Sequence, residues 1–252
     1  MKDRYFSVEV KPTIAASKQN AGPFSAGDVL FDWVEFEIPK GTSRLIGATM
    51  ITRPKGNATP TGNKFGSFLV FSKTNTISYG IVNSATTTTP SNDYLGFIEL
   101  AEEDNFTQGA GTAIGMAGRG SNNDSMSTNL LLTGSQTGSN VGYDKLYMAA
   151  QALGAFDFRS VIAIAEDTDA DAAASQVITT DGSVDESQIL AVGDVLHIGT
   201  TVGTPAADSL IGTVAAVADN LVTLEAVSPT ALVDGDVLYN ISPIRVILHF
   251  EK

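Results

Sequence analysis

Basic residues are distributed so unevenly that the chain divides into two parts of different character. No Lys or Arg occurs between Arg159 and Arg245. Residues 1–165 carry 13 basic and 14 acidic side chains, whereas residues 166–252 carry 2 and 14, so nearly all of the formal net charge of −13 lies in the second part. A near-neutral body can lie against another protein surface, whereas an acidic module prefers water and repels nucleic acid. We therefore predict no nucleic-acid partner.

The composition favours β-structure. Thr, Ser, Asn and Gly recur throughout, and only 17% of residues are charged, so the Glu and Lys that favour helices are sparse. Cysteine is absent, which excludes disulfides and thiolate metal ligands. No apolar run reaches the ~18 residues of a membrane span, and the N-terminal residues lack the apolar core of a signal peptide. We predict no membrane partner.

Strands are predicted where apolar and polar residues alternate. The clearest is Leu30–Ile38, where Val34 and Phe36 share one face and Trp33 lies on the other, which is typical of a half-buried antiparallel strand. Tyr143–Leu153 fits either a short helix or a strand. A short strand is predicted near the N-terminus at Phe6–Val10, and further strands are predicted at Leu45–Thr52, Phe65–Ser72, Ile77–Val82, Tyr94–Leu100 and Phe156–Ile164.

Two long segments lack this alternation. Lys11–Ala26 contains Pro12, Gly22 and Pro23 and is interpreted as a loop or an extended arm. Asn105–Gly142 is rich in Gly, Ser, Asn and Thr, and loops of this length are functional or disordered in compact domains. Two interpretations of the second segment remain open, a flexible loop and an arm that orders against a neighbouring subunit.

The acidic part has its own pattern of short strands. Gly193-Asp-Val-Leu and Gly235-Asp-Val-Leu each predict a tight turn that enters a strand, and the same tetrapeptide occurs at Gly27. Ile211–Val217 and Leu221–Leu224 predict a hairpin between the two acidic copies. This arrangement fits a small β-barrel.

The last predicted strand resembles those of the body. Ile244, Val246, Leu248 and Phe250 alternate with polar or smaller neighbours and share one face. We therefore predict an all-β fold: an antiparallel, jelly-roll-like β-sandwich with an inserted small β-barrel module and a C-terminal strand that returns to the body. The predicted division is an extended arm at 1–26, a body at 27–165 plus 242–252, and an acidic module at 166–241.

Catalytic patterns are lacking, so we predict that the protein is not an enzyme and uses no cofactor. His197 and His249 lie in different predicted units, and no Gly-x-Ser-x-Gly motif occurs. Asp167, Asp169 and Asp171 alternate as they do in a Ca²⁺ loop, but the glycine and the distal glutamate of an EF-hand are missing. This loop is a weak cation-site candidate, and the alternative is a solvated acidic linker.

Aromatic residues mark a candidate interface. Trp33 and Phe31 lie on the most apolar strand, and Phe24 lies in the predicted arm. Exposed aromatic side chains serve as subunit contacts or as platforms on which sugars stack. A second packed layer of the fold is the alternative for Trp33.

Taken together, four features resemble virion structural proteins of tailed bacteriophages, most of all capsid decoration (cement) proteins. They are the arm before Gly27-Asp-Val-Leu30, the Gly/Ser/Asn-rich interior segment, the module between the two acidic Gly-Asp-Val-Leu copies, and the terminal strand Ser242–Lys252. The resemblance extends over most of the chain but transfers no site residue. It implies a subunit located in the virion, bound through its near-neutral body and its arm to the major capsid protein or other virion proteins, and homo-oligomeric, with a trimer favoured.

Two other functions remain open at this point. A neck, collar or tail component fits the same features, because it is also a virion protein. A receptor-binding or carbohydrate-binding β-sandwich is the alternative from another functional class, and Trp33 is then the residue that contacts the ligand.

Overall fold

The computed structural model describes residues 4–53, 66–86, 92–102, 106–108, 112–118, 128–136, 140–160, 162–165, 176–200 and 208–252. Within these ranges the chain is almost entirely β-structure, with one short helix, α1 (Ala16–Asn20). The strands are β1 (Tyr5–Val10), β2 (Val29–Glu37), β3 (Ser43–Thr52), β4 (Ser67–Ser72), β5 (Tyr94–Leu100), β6 (Phe106–Gln108), β7 (Thr112–Gly118), β8 (Leu130–Leu132), β9 (Lys145–Ala152), β10 (Val177–Thr179), β11 (Val195–Thr200), β12 (Leu210–Ala218), β13 (Leu221–Leu224), β14 (Val237–Asn240) and β15 (Ile244–Glu251).

The body is an antiparallel β-sandwich with jelly-roll strand order. Its first sheet has the order β1-β15-β3-β7-β6, with β8 also paired to β3, and its second sheet has the order β2-β9-β4-β5. Apart from the short β6 and β8, the body strands pair from the outside inward: β1 with β15, β2 with β9, β3 with β7 and β4 with β5. This nesting defines a jelly roll. It confirms the predicted all-β class and the return of the last strand to the body.

The two sheets enclose one hydrophobic core. The rings of Phe36 on β2 and Phe250 on β15 stack across the sandwich with centroids 6.4 Å apart. The Ser67 hydroxyl donates to Met50 Sδ over 3.7 Å, which also joins the sheets. Phe250 and Met50 are almost completely buried. The core therefore depends on β15, which follows the acidic module in the chain.

The segment predicted as an arm, 1–26, is part of the fold in its described residues. All of β1 pairs with β15, from Tyr5 opposite Glu251 to Val10 opposite Val246. Ile14 and Phe24 are fully buried. The arm prediction was wrong for these residues because widely spaced apolar side chains in an irregular segment still fill a core.

Three other predictions of secondary structure were wrong. A strand was predicted at Phe156–Ile164, but its described residues form only isolated bridges, such as that of Phe156 with Phe24. Asn105–Gly142 contains β6, β7 and β8, and β7 pairs with β3 from Gly47 to Thr52. Small inward residues such as Ala113 and Ala117 hid the alternation. Ile77–Val82 is not a strand in the structure, which has only a single bridge between Val82 and Val29.

The acidic module has its own sheet and its own core. The sheet order is β10-β13-β12-β11-β14, and the described strands form an open path rather than the closed barrel that was predicted. Single bridges from Ala163 to Val237 and from Ile164 to Thr180 connect the two edges. Ile162 and Ile164 pack in the module core, so the module begins slightly before the predicted boundary at 166.

The three Gly-Asp-Val-Leu sites form the same turn. Gly27, Gly193 and Gly235 have φ values of +93°, +88° and +81°, which L side chains rarely adopt. Each following aspartate donates its backbone N–H to the residue three positions earlier, and its carboxylate accepts the backbone N–H of that same residue over 2.7 to 3.1 Å. Shared turn chemistry therefore explains the repeated tetrapeptide.

Helix α1 fastens the module to the body. Tyr239 on β14 donates its hydroxyl to Asn20 Oδ1 over 2.9 Å, and Gln19 Nε2 donates to the Asn240 carbonyl over 2.8 Å. At the end of β3, Arg53 forms an ion pair of 2.6 Å with Asp194 of the module. These contacts couple the two cores, although each core is a separate hydrophobic cluster.

Candidate docking surface

The outer face of the second sheet carries an unusual concentration of aromatic side chains. We define the aromatic surface as Trp33, Phe68, Tyr79, Tyr94 and Phe97. Beneath it lie the smaller side chains of Val70 and Ala149. Most sheet faces that face water are polar, so this face is suited to contact another apolar surface.

Trp33 lies across the sheet rather than projecting from it. Its ring packs against the small cluster of Val29, Tyr79 and Ala149 and meets Tyr79 edge-on, with centroids 5.2 Å apart. It also reaches Tyr94 on the far edge strand at 5.8 Å. The indole N–H donates to the Ile77 carbonyl over 2.7 Å. The position of Trp33 is therefore fixed by contacts on several sides.

Phe97 is the most exposed member of the aromatic surface. It lies opposite Val70 in the β4–β5 ladder and meets Phe68 edge-on at 5.2 Å. Its exposure is 60%, and that of Tyr94 is 37%. Ile81, two residues after Tyr79 in the same loop, is 64% exposed. Exposed aromatic and aliphatic groups that adjoin one another mark contact sites more often than isolated ones do.

Asp32 holds the loop that covers one side of this surface. Its Oδ1 accepts the backbone N–H of Tyr79 over 2.6 Å, and its Oδ2 accepts the hydroxyl of Ser78 over 2.7 Å. Tyr79 in turn donates its hydroxyl to Gln151 Oε1 over 3.2 Å. The aromatic surface is thus anchored by hydrogen bonds to the sheet below, which limits the entropy lost when a partner binds.

Burial raises the pKa of the Tyr79 phenol. Desolvation, with a smaller contribution from Tyr94, raises the pKa of Tyr79 to about 12 from 10.0. The folded state thus retains the phenol proton more strongly than the unfolded state. The resulting stabilisation is complete below pH 10 and is lost as the pH rises toward 12.

Replacing Tyr79 by phenylalanine is expected to flatten the alkaline decline in stability. The variant keeps the ring but lacks the titrating proton, and it loses one hydrogen bond, at a cost of about 1 kcal/mol at neutral pH. Urea unfolding at pH values between 10 and 12 measures the slope in both proteins. Equal slopes would contradict the assignment of this titration to Tyr79.

An ion pair lies at one end of the same face. Lys145 Nζ donates to Glu35 Oε1 over 2.9 Å, and the Tyr147 hydroxyl donates to Glu35 Oε2 over 3.1 Å. The hydrogen bond from Lys145 is the main reason why the pKa of Glu35 is below its usual value. Glu35 therefore stays charged and paired at neutral pH, and Glu37, opposite Lys145 in the β2–β9 ladder, adds a second carboxylate beside this lysine.

The predicted interface residues fall in three different environments. Trp33 belongs to the aromatic surface, but Phe31 and Phe24 are completely buried in the body core and were wrongly predicted as interface residues. In a regular strand Phe31 and Trp33 would lie on the same face. The register between β2 and β9, however, shifts between Phe31 and Val34. Such a bulge turns the strand so that Phe31 faces the core and Trp33 faces outward.

Sequence reasoning missed the exposed members of the surface. The strand containing Tyr94 and Phe97 was predicted correctly, from Tyr94 to Leu100. Its inner residues, Ile98 and Leu100, are buried. A large aromatic residue on the opposite face of an alternating strand was the signal available for Phe97.

Other candidate chemistry is dispersed. His249 lies between the hydroxyls of Ser7, 3.0 Å from Nδ1, and Thr49, 3.2 Å from Nε2. His197 Nδ1 lies 2.6 Å from the Asp208 carbonyl. The proposed cation ligands Asp167, Asp169 and Asp171 lie outside the described residues.

In the described part of the chain, no three His, Asp or Glu side chains lie close enough to hold a metal ion. In the same ranges, no helix combines the length and apolarity needed to cross a membrane. No protein-family model matches the chain, and neither does any curated protein.

Proposed function

We propose that this protein is a non-enzymatic structural subunit of a virion, of the capsid decoration type. The observation that carries the proposal is the anchored aromatic surface on a near-neutral jelly-roll body, joined to a separate acidic module. The body binds the outer shell, formed by the major capsid protein, through the aromatic surface. Of the attachment through body and arm expected from the sequence, the proposal keeps only the body, because β1 and Phe24 are part of the fold.

The two parts have complementary roles in this proposal. Phe97, Tyr94 and Ile81 supply apolar area that is removed from water on contact with the shell. The module contains no Lys or Arg, so neighbouring particles covered with it repel each other. A subunit repeated over a symmetric shell is expected to contact its own copies as well, in keeping with the homo-oligomer, favoured as a trimer.

A carbohydrate-binding sandwich is the competing function, and the same aromatic residues would serve it. Sugar recognition requires an exposed ring face together with polar groups that bond the hydroxyls. The indole N–H of Trp33 is already used within the fold, and Phe97 has no polar group. These features favour a protein partner.

Replacing Phe97 by alanine is expected to weaken binding to shells about tenfold or more, since central aromatic contacts contribute most of the energy of an interface. Because Phe97 is 60% exposed, stability should change by less than about 1 kcal/mol. The measurement is a co-sedimentation titration with particles that lack the protein.

Val192→Ala is the matched control for this experiment. Val192 is 70% exposed but lies on the acidic module. Its replacement should leave the affinity for shells unchanged. Equal losses in both variants, or no loss for Phe97→Ala, would contradict docking through the aromatic surface.

Counting copies per particle by quantitative mass spectrometry separates the virion locations. Copies on the order of hundreds indicate the capsid lattice, because icosahedral symmetry multiplies each site. About a dozen or fewer indicate a neck, collar or tail component. If the protein is missing from purified particles, carbohydrate binding becomes the favoured function. Trp33→Ala should then abolish retention on glycans.

A further inference from the structure

A group of basic side chains surrounds a cavity at one end of the body. We call it the cationic pocket and define it by Arg4, Arg44, Glu251 and Lys252. Arg4 and Arg44 line a cavity of about 350 Å³ and, with Lys252, an adjoining one of about 190 Å³. These residues come together because β1 begins, β3 begins and β15 ends at the same end of the first sheet.

The cationic pocket has more positive than negative charge. Arg4 and Arg44 both pair with Glu251, the second at 3.6 Å, and Lys252 lines the adjoining cavity as a third basic residue. The side chains of Arg4 and Arg44 remain 68% and 51% exposed and keep donors directed to solvent. Leu131, which is 61% exposed, adds an apolar wall. The pocket thus suits a carboxylate carried on a protein surface.

Several other basic residues in the described ion pairs each pair with one carboxylate. Lys11, Lys145 and Arg159 each pair with a single carboxylate. Arg53 is used within the chain to join the body to the module. Glu9 likewise pairs with two cations, Lys11 and Arg245, whereas the cationic pocket adds Lys252 to its two arginines.

The acidic module lies toward the opposite end of β15. The chain leaves the module at Ile244 and reaches the pocket at Glu251, a path of eight extended residues or about 26 Å. On the module, Asp185 and Asp219 are exposed beside a concave surface of about 590 Å³. One copy therefore cannot place these carboxylates in its own pocket.

We propose that the cationic pocket of one copy binds the acidic module of a second copy, head to tail. The two surfaces are opposite in charge and lie apart on the same chain, so they can meet only between two copies. The contact joins different surfaces on the two partners, so it continues from copy to copy or closes into a ring. It needs only neighbouring copies and does not depend on the surface to which the body docks.

The proposed contact predicts how the association of copies depends on salt concentration. Each copy has a net charge of −13, so long-range repulsion opposes association at low ionic strength. At ~0.1 M salt, charges more than about 10 Å apart are screened while ion pairs in contact persist. At ~1 M the pairs themselves weaken. Association should therefore be greatest near ~0.1 M.

The absence of cysteine allows a direct crosslinking test. Leu131→Cys places a thiol beside the pocket, and Ser183→Cys places one on the concave surface of the module. A size-tagged Leu131→Cys protein is mixed with untagged Ser183→Cys protein and treated with a short bismaleimide. We expect the mixed product to exceed the sum of the two symmetric products, which is the amount that random collision of equimolar proteins would give, and to decrease at ~1 M NaCl. A mixed product no larger than that sum, or a yield insensitive to salt, would overturn the proposal.

Charge-removing changes supply the second part of the test. Arg44→Gln and Lys252→Gln, each in the crosslinking background, should lower the mixed product by about fivefold, as expected for loss of one surface ion pair. Lys252 follows β15, so its replacement leaves the strand pairing intact. Lys11→Gln, at the other end of β1, is the matched control and should have no effect. The same decrease in all three variants, or in none, would contradict binding through the pocket.

Discussion

Replacing Phe250 by alanine is expected to lower the free energy of unfolding by about 3–5 kcal/mol. Phe250 is completely buried on β15. Its ring stacks on Phe6 at 5.1 Å within the first sheet and on Phe36 at 6.4 Å across the sandwich. Truncation would leave a cavity between the two sheets that these rigid strands cannot close. A loss of this size is a large share of the ~5–15 kcal/mol that stabilises a typical domain.

Urea unfolding measures this effect, and Phe97→Ala is the matched control. The control makes the same chemical change on the same body, at a side chain that is 60% exposed. We expect the midpoint to fall strongly for Phe250→Ala and slightly for Phe97→Ala, with similar m-values. Similar midpoints for the two variants would mean that the contact between β15 and the second sheet does not determine stability.

The strand β15 could be predicted from the sequence for a physical reason. Ile244, Val246, Leu248 and Phe250 all face the core, and a strand with one buried face must alternate in this way. The same alternation in the body strands supported the prediction of a sandwich. The strand order was not predictable, because alternation identifies the buried face of a strand but not its neighbours in the sheet.

The errors arise where the period of two is interrupted or masked. In β2, the bulge between Phe31 and Val34 reverses the face of Phe31 relative to a regular strand. In β7, the inward positions are held by small residues such as Ala113 and Ala117, so the strand resembles a loop in composition. Hydrophobic alternation alone reveals neither the bulge in β2 nor the burial of the alanines in β7, since both are set by the pairing with a neighbouring strand.

The candidate site was the least predictable part for a related reason. Trp33, Tyr94 and Phe97 lie on strands that are far apart in the sequence, and the jelly-roll order brings them to one face. The cationic pocket likewise combines residues from both ends of the chain, as in the contact of Arg4 with Glu251. Surfaces of this kind can be predicted only when the strand order of the fold is already known.

Replacing residues 162–241 by a short Gly/Ser linker is expected to leave a folded body of lower stability. Ser160 and Pro243 line the same small cavity of about 20 Å³, so the cut ends lie close together. The strands of the jelly roll, including β15, all remain. Stability decreases because the body loses bonds such as Tyr239 to Asn20 and Gln19 to Asn240, each contributing about 1 kcal/mol.

The single tryptophan makes this experiment specific to the body. Trp33 lies on the second sheet, so its fluorescence reports unfolding of the jelly roll even in the full chain. We expect the shortened protein to show one cooperative Trp33 transition at a lower urea midpoint than the full chain. A featureless fluorescence change would show instead that the jelly roll cannot form without the module. In that case the contacts of α1 and Arg53 with the module are required for folding, and the two cores form one cooperative unit.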